Sequence, residues 1–132
     1  LGLENIYFRA PVTKKEMPHI VAAITASIIP LKKLDLFKGA IPSKIFESLA
    51  MKKPILLGVD GEAKELFIDE GKCGMFFTPE SEEELVRNIL YVCEHPDDVK
   101  VWAENARNYV DKKFNRNSIA ENFFRLLTEN KN

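Results

Sequence analysis

The chain has 132 residues, 45% apolar and 30% charged, with a net charge of −1. That is one ordinary domain, or a piece of a larger protein, with enough apolar residues to bury a core. The near-neutral balance excludes nucleic acid as the main partner, and no apolar run has the length of a membrane span or the form of a signal peptide. Leu1-Gly2-Leu3 reads as the end of a helix and lacks an initiator Met, which suggests a cut from a longer polypeptide. Asn5–Phe8 (NIYF) is a short β-prone run closed by Ala10-Pro11.

Thr13 and Glu16 have capping-box spacing, which predicts a helix to about Thr25 with Met17, Ile20, Val21 and Ile24 on one face. Pro18 falls near the first turn, where it is tolerated. Ala26–Ile29 is a strand ending at Pro30, and Leu31–Ile41 is a loop carrying Lys32, Lys33 and Lys38. From Pro42 a helix runs to Met51, with Ile45, Phe46, Leu49 and Ala50 facing inward. Pro54–Gly58 (PILLG) is a continuous apolar strand, as expected where both sheet faces are covered.

Glu62–Glu70 is helical and stops at Gly71, and Gly74–Thr78 is a further buried strand. Ser81 and Glu84 form a second capping box, opening a helix to about Glu94 that ends before Pro96. Helices over about Asp97–Lys113 and Ser118–Glu129 complete the chain. Strands and helices thus alternate four times before a helical tail, the pattern of an α/β fold with a doubly wound parallel sheet. Trp102, Tyr109, Phe114, Phe123 and Phe124 fall at helical spacing on the tail and read as a docking face against the core. Cys73 and Cys93, outside any CxxC or Cys/His cluster, read as buried structural thiols of a reducing cytoplasm. His19 and His95 read as surface or cap residues.

In open parallel sheets ligands bind beyond the carboxyl ends of the strands, and the Pro42 helix starts there. Its first turn offers free amides and partial positive charge, to which Ser43 adds a hydroxyl and Lys44 an ammonium. Glu47, a turn deeper, is placed to accept from a diol such as a ribose. The chemistry suggests a nucleoside diphosphate across this helix start. A plainer reading stands beside it, in which Ser43 caps the helix, Lys44 is solvated and Glu47 is an exposed polar residue.

The order NIYFRAPV, EMPHIVAAITASIIPL, IPSKIFESLAMKKPILLG and GEAKELFIDEGKCGMFFTPES resembles the C-terminal half of a family-4 retaining glycosyltransferase. The P-S-K-hydrophobic-F-E stretch is closest to the bacterial capsule and O-antigen type. The resemblance implies a GT-B enzyme, with this chain (1–132, terminal helices from about 97) as part of its Rossmann-like donor-binding domain. It further implies that an N-terminal acceptor domain lies outside the chain, which would be inactive alone. Carried over by position, the backbone of Phe8–Val12, including Arg9, Ala10 and Val12, meets the nucleobase. Ser43 and Lys44 meet the diphosphate and Glu47 the ribose, while Phe37 and Lys38-Gly39-Ala40-Ile41 approach the donor sugar. Gly61, Glu62 and Glu65 resemble the loop that follows, without a catalytic role.

Many relatives carry a sugar-binding glutamate where this chain has Gly39. The implied donor is a UDP-sugar, used without a metal ion, and the implied acceptor is a cell-surface polysaccharide or lipid-linked glycan. Such an enzyme works in the cytoplasm or at the inner face of the membrane, meeting the membrane only through its acceptor. A non-catalytic nucleotide-sugar-binding module is the alternative. A response-regulator-like domain is disfavoured, because no acidic cluster ends the first strand. The family's strand order also leaves NIYF and ASII apart, so the segment is expected to pair non-natively with ASII or to draw in a second copy as an oligomer.

Overall fold

The computed structural model describes residues 2–129. It is an α/β fold in the order α1 (Met17–Ala23), β1 (Ser27–Pro30), a 3-10 turn (Asp35–Gly39), α2 (Ser43–Ala50) and β2 (Ile55–Gly58). Then follow α3 (Glu62–Lys64), running into a π-helical stretch (Glu65–Glu70), β3 (Gly74–Phe76), α4 (Glu82–Glu94), α5 (Pro96–Lys113) and α6 (Arg116–Glu129). The three strands are parallel in the order β1-β2-β3, with Ile28, Leu56 and Met75 in register.

All four residues of β2 are buried, which is why its sequence is an unbroken apolar run. On one sheet face Ile29, Ile55, Leu57 and Val59 pack with Ile45 and Leu49 of α2, Phe67 and Ala106. Alternate residues point the other way, where Leu56 is buried and Ile28 remains 45% exposed. Asn88 of α4 donates to the Phe76 carbonyl at 2.8 Å, satisfying an edge of β3. The C-terminal end of α2 is fastened to α5 by Arg107, which donates to the Ala50 carbonyl, and by the Lys52–Glu104 ion pair at 2.8 Å.

Asn5–Phe8 forms no strand and pairs with neither β1 nor anything else among the described residues. Ile6, Tyr7 and Phe8 are 51%, 78% and 97% exposed. β-propensity describes side chains that suit a pleated surface, but a strand exists only where a neighbour takes its backbone bonds. The aromatic tail divides as well. Tyr109 and Phe114 pack edge-on or tilted against Phe67, and Trp102 stacks near Tyr91. Phe123 and Phe124 on α6 are 63% and 69% exposed, so helical spacing there does not signify burial. Of the thiols, Cys73 is buried and its pKa is pushed up to about 12 by desolvation, whereas Cys93 is exposed.

Each capping box forms by half. Glu16 accepts from the Thr13 amide at 2.9 Å as expected, but the Thr13 hydroxyl donates to Glu16 and caps no amide, so α1 starts after a preliminary turn. Ser81 accepts the Glu84 amide, while Glu84 reaches past Ser81 to the Thr78 amide at 2.6 Å and the Thr78 hydroxyl at 3.2 Å. The amide bond first, then the hydroxyl, holds the Glu84 pKa below its ordinary 4.5. A depressed folded pKa gives stability that is present above the unfolded value and lost as pH falls through the folded one. Glu84→Gln should therefore flatten the acid side of the pH–stability curve, read as Tm between about pH 3 and 6. An acid limb as steep as in the unsubstituted protein would assign acid lability to other carboxylates.

Candidate functional site

β1 ends at Pro30, and the Leu31 amide still bonds to the Gly58 carbonyl at 3.0 Å, so the chain leaves the sheet beside the end of β2. The Asp35–Gly39 turn follows, closed by Phe37 amide to Leu34 carbonyl at 2.9 Å and Ala40 amide to Phe37 carbonyl at 3.0 Å. Its Asp35 and Lys38 pair at 2.8 Å, which lowers the Asp35 pKa and raises that of Lys38. Pro42 then holds an extended backbone (φ −59°, ψ 131°) that sets the entry to α2.

No side chain caps α2. Ser43 is exposed and does not fold back onto an amide, against the plainer reading of its sequence position. The Ile45 amide bonds to the Pro42 carbonyl at 3.0 Å, leaving the earlier Ser43 and Lys44 amides at the helix entrance. Ser43 and Lys44 border a cleft of about 290 Å³ with Ile28, Pro30, Leu31 and Pro42, at the carboxyl end of β1. This is where an open parallel sheet takes its ligands.

Glu47 lies one turn further along and is exposed. It shares a second cleft with Ser43, Phe114, Arg116 and Ile119, and a third with Lys14, Met17, Pro18 and Val21 of the α1 region. The i, i+4 spacing of Ser43 and Glu47 puts both on one face of α2, where they border one cleft. Lys38 lines a separate cleft of about 260 Å³ with Lys32, Lys33, Asp35, Phe37, Asp60 and Thr78, beyond the ends of β2 and β3. Gly39 is exposed, and Ala40 and Ile41 are half-buried.

Arg9 and Ala10 are exposed and Val12 is half-buried, on an irregular segment. The clefts at Ser43, Lys44 and Glu47 are lined by other residues. Sequence reasoning passed over Arg116, which faces Ser43 and Glu47 from the start of α6, and Asp60 and Thr78 at the strand ends. Asp60 and Thr78 carried the signal of position, each just past a strand; Arg116 carried none. No group of three or more His, Cys, Asp or Glu side chains is gathered as a metal site among the described residues.

The sequence is 36% identical over 56 residues to TuaH of Bacillus subtilis, named as a teichuronic acid biosynthesis glycosyltransferase; the match covers 42% of this chain and 14% of that protein. It is 28% identical over 118 residues to the uncharacterized glycosyltransferase MJ1069 of Methanocaldococcus jannaschii, covering 89% of this chain and 29% of the relative. The chain thus spans less than a third of the length of these relatives. Among solved structures, Anabaena HepE in complex with UDP superposes with a TM-score of 0.70 at 22% identity, over 88% of this chain and 30% of that one. That likeness places the parallel sheet and its helices in a GT-B type architecture. The sequence profile described as "Glycosyl transferases group 1" matches residues 1–109, and the chain belongs to that family.

Proposed function

We propose that this chain is the donor-binding part of a retaining, family-4 type glycosyltransferase, holding a UDP-sugar for transfer onto a cell-surface polysaccharide or lipid-linked glycan. The observation that carries this reading is the uncapped N-terminus of α2, opening into a cleft at the carboxyl end of β1. Amides of Ser43 and Lys44, the Ser43 hydroxyl and the Lys44 ammonium form a cradle for a diphosphate without a metal ion. Glu47 accepts from the ribose diol, and backbone groups around Arg9, Ala10 and Val12 take the base. The sugar lies toward Lys38-Gly39-Ala40-Ile41.

UDP is assigned because HepE, which shares the fold, was crystallised with it, and the acceptor class is supported by TuaH, which is named for teichuronic acid biosynthesis. In this reading the whole of 1–132 serves the donor domain, and the enzyme acts in the cytoplasm or at the inner face of the membrane. Its contribution to rate is orientation of the donor and electrostatic stabilisation of the departing diphosphate as the sugar gains oxocarbenium character.

Titration calorimetry of the full-length protein with UDP, GDP and ADP tests the assignment. UDP should bind at least about tenfold tighter than either purine nucleotide, a difference of about 1.4 kcal/mol. Equal affinities would remove the base assignment, and no UDP binding at all would remove the donor reading.

A further inference from the structure

The Asp35–Gly39 turn, whose Asp35, Phe37 and Lys38 line the 260 Å³ cleft, lies with its Lys38 backbone against Gly61. Gly61 follows β2 and opens α3 with φ 80° and ψ −135°, a region that essentially only glycine occupies. A Cβ built there would collide with the Lys38 carbonyl, so the turn's backbone lies directly on the Gly61 Cα. Two requirements for glycine, one conformational and one steric, thus coincide at one position.

The seat is fixed from both sides. The Gly61 amide donates to Asp60 Oδ1 at 2.8 Å, and the Gly61 carbonyl accepts from the Glu65 amide at 3.0 Å, tying it to the next helix. Phe37 and Lys38 of the turn and Val59 and Asp60 before the seat line the same cleft. Its volume of about 260 Å³ lies just below the ~300–1,000 Å³ of ordinary small-molecule pockets. Raising the turn would deepen this space without touching Ser43, Lys44 or Glu47, which border other clefts.

We propose that Gly61 is a positioning residue that seats the Asp35–Gly39 turn at one height over the strand ends and thereby decides which donor sugar the cleft accepts. This rests on the donor reading above. A side chain at position 61 lifts the turn; the nucleotide, held at α2, is unaffected.

The experiment compares the full-length protein with its Gly61→Ala variant, using UDP, UDP-glucose, UDP-galactose, UDP-N-acetylglucosamine and UDP-glucuronate as probes. UDP affinity should stay within about twofold, while the spread between best and worst UDP-sugar narrows at least about fivefold. Amide hydrogen exchange at Phe37 and Ala40 should accelerate at least about tenfold, with Ile55 and Leu57 unchanged. Should Gly61→Ala fail to fold, Asp60→Ala, which frees the Gly61 amide and also removes a carboxylate near Lys38, should accelerate the same two amides more mildly. Unchanged exchange in the turn, or acceleration shared by Ile55 and Leu57, overturns the seat. A parent protein that binds all four sugars equally, or a spread unmoved by the variant, overturns the selection. Failure of the parent to bind UDP, with the exchange result intact, counts against the donor reading and leaves the seat standing.

Discussion

Phe67→Ala should lower the unfolding free energy by about 3–5 kcal/mol, the usual cost of emptying a buried aromatic site. Phe67 is fully buried and sits in the π-helical stretch, where the Gly71 amide bonds to the Leu66 carbonyl, five residues back, at 2.9 Å. Its ring touches Phe46 of α2 at 5.5 Å, Tyr109 of α5 at 6.1 Å and Phe114 at 5.6 Å between centroids. The π-helical stretch, α2 and α5 with its cap residue Phe114 thus meet on one side chain. Removing it leaves a void walled by rigid rings, which cannot collapse as flexible aliphatic side chains would. Domains have only about 5–15 kcal/mol in total, so the variant should stand near the edge of folding. Urea unfolding measures the loss. Phe123→Ala, on exposed α6, is the control and should stay within about 0.5 kcal/mol. Similar losses at the two positions would mean that α6 is covered in solution or that the cluster repacks.

The contrast between these two phenylalanines shows what the sequence could convey. Both sit in segments with apolar periodicity, yet periodicity marks a face and not what lies against it. Ile55-Leu56-Leu57 was readable as a strand because a run apolar on both sides has few other stable homes. Ile6-Tyr7-Phe8 has the same propensity and no neighbouring strand, so it stays irregular. The capping boxes were legible as helix starts, but Glu84 turns to Thr78 because β3 delivers that amide within reach, which is tertiary information. The π-helical turn left no mark beyond the Gly71 stop. At the site, Ser43 and Lys44 in the first turn and Glu47 a turn deeper followed from the helix start at Pro42, while the absence of a Ser43 cap did not. Arg116 entered only through the path of the chain, 69 residues after Glu47 by their numbers. The Asp35–Gly39 turn and its seat on Gly61 are likewise products of packing between distant loops.

In the full-length protein, Glu47→Ala should weaken UDP binding by about 1–3 kcal/mol, the range for a lost charged hydrogen-bond partner. That is roughly five- to 150-fold in Kd. Glu47 and Ser43 are separated by one helical turn, about 6 Å along the axis at 1.5 Å per residue. That rise is comparable to the reach from a nucleotide's phosphates to its ribose diol, so one helix face can address both. A carboxylate at the phosphate level would repel the ligand, whereas one turn deeper it accepts from hydroxyls. Lys44→Ala should cost less, since its exposed ammonium acts through screened charge while helix amides remain to hold the diphosphate. Glu47 makes no hydrogen bond or ion pair among the described residues, and its truncation should leave Tm unchanged. That separates a binding loss from a folding loss. Calorimetric titration of the two variants with UDP reads the order. A larger loss at Lys44 than at Glu47 would move the phosphate's main contact from backbone to side chain. A Glu47→Ala variant that binds UDP as tightly as its parent would remove the ribose assignment.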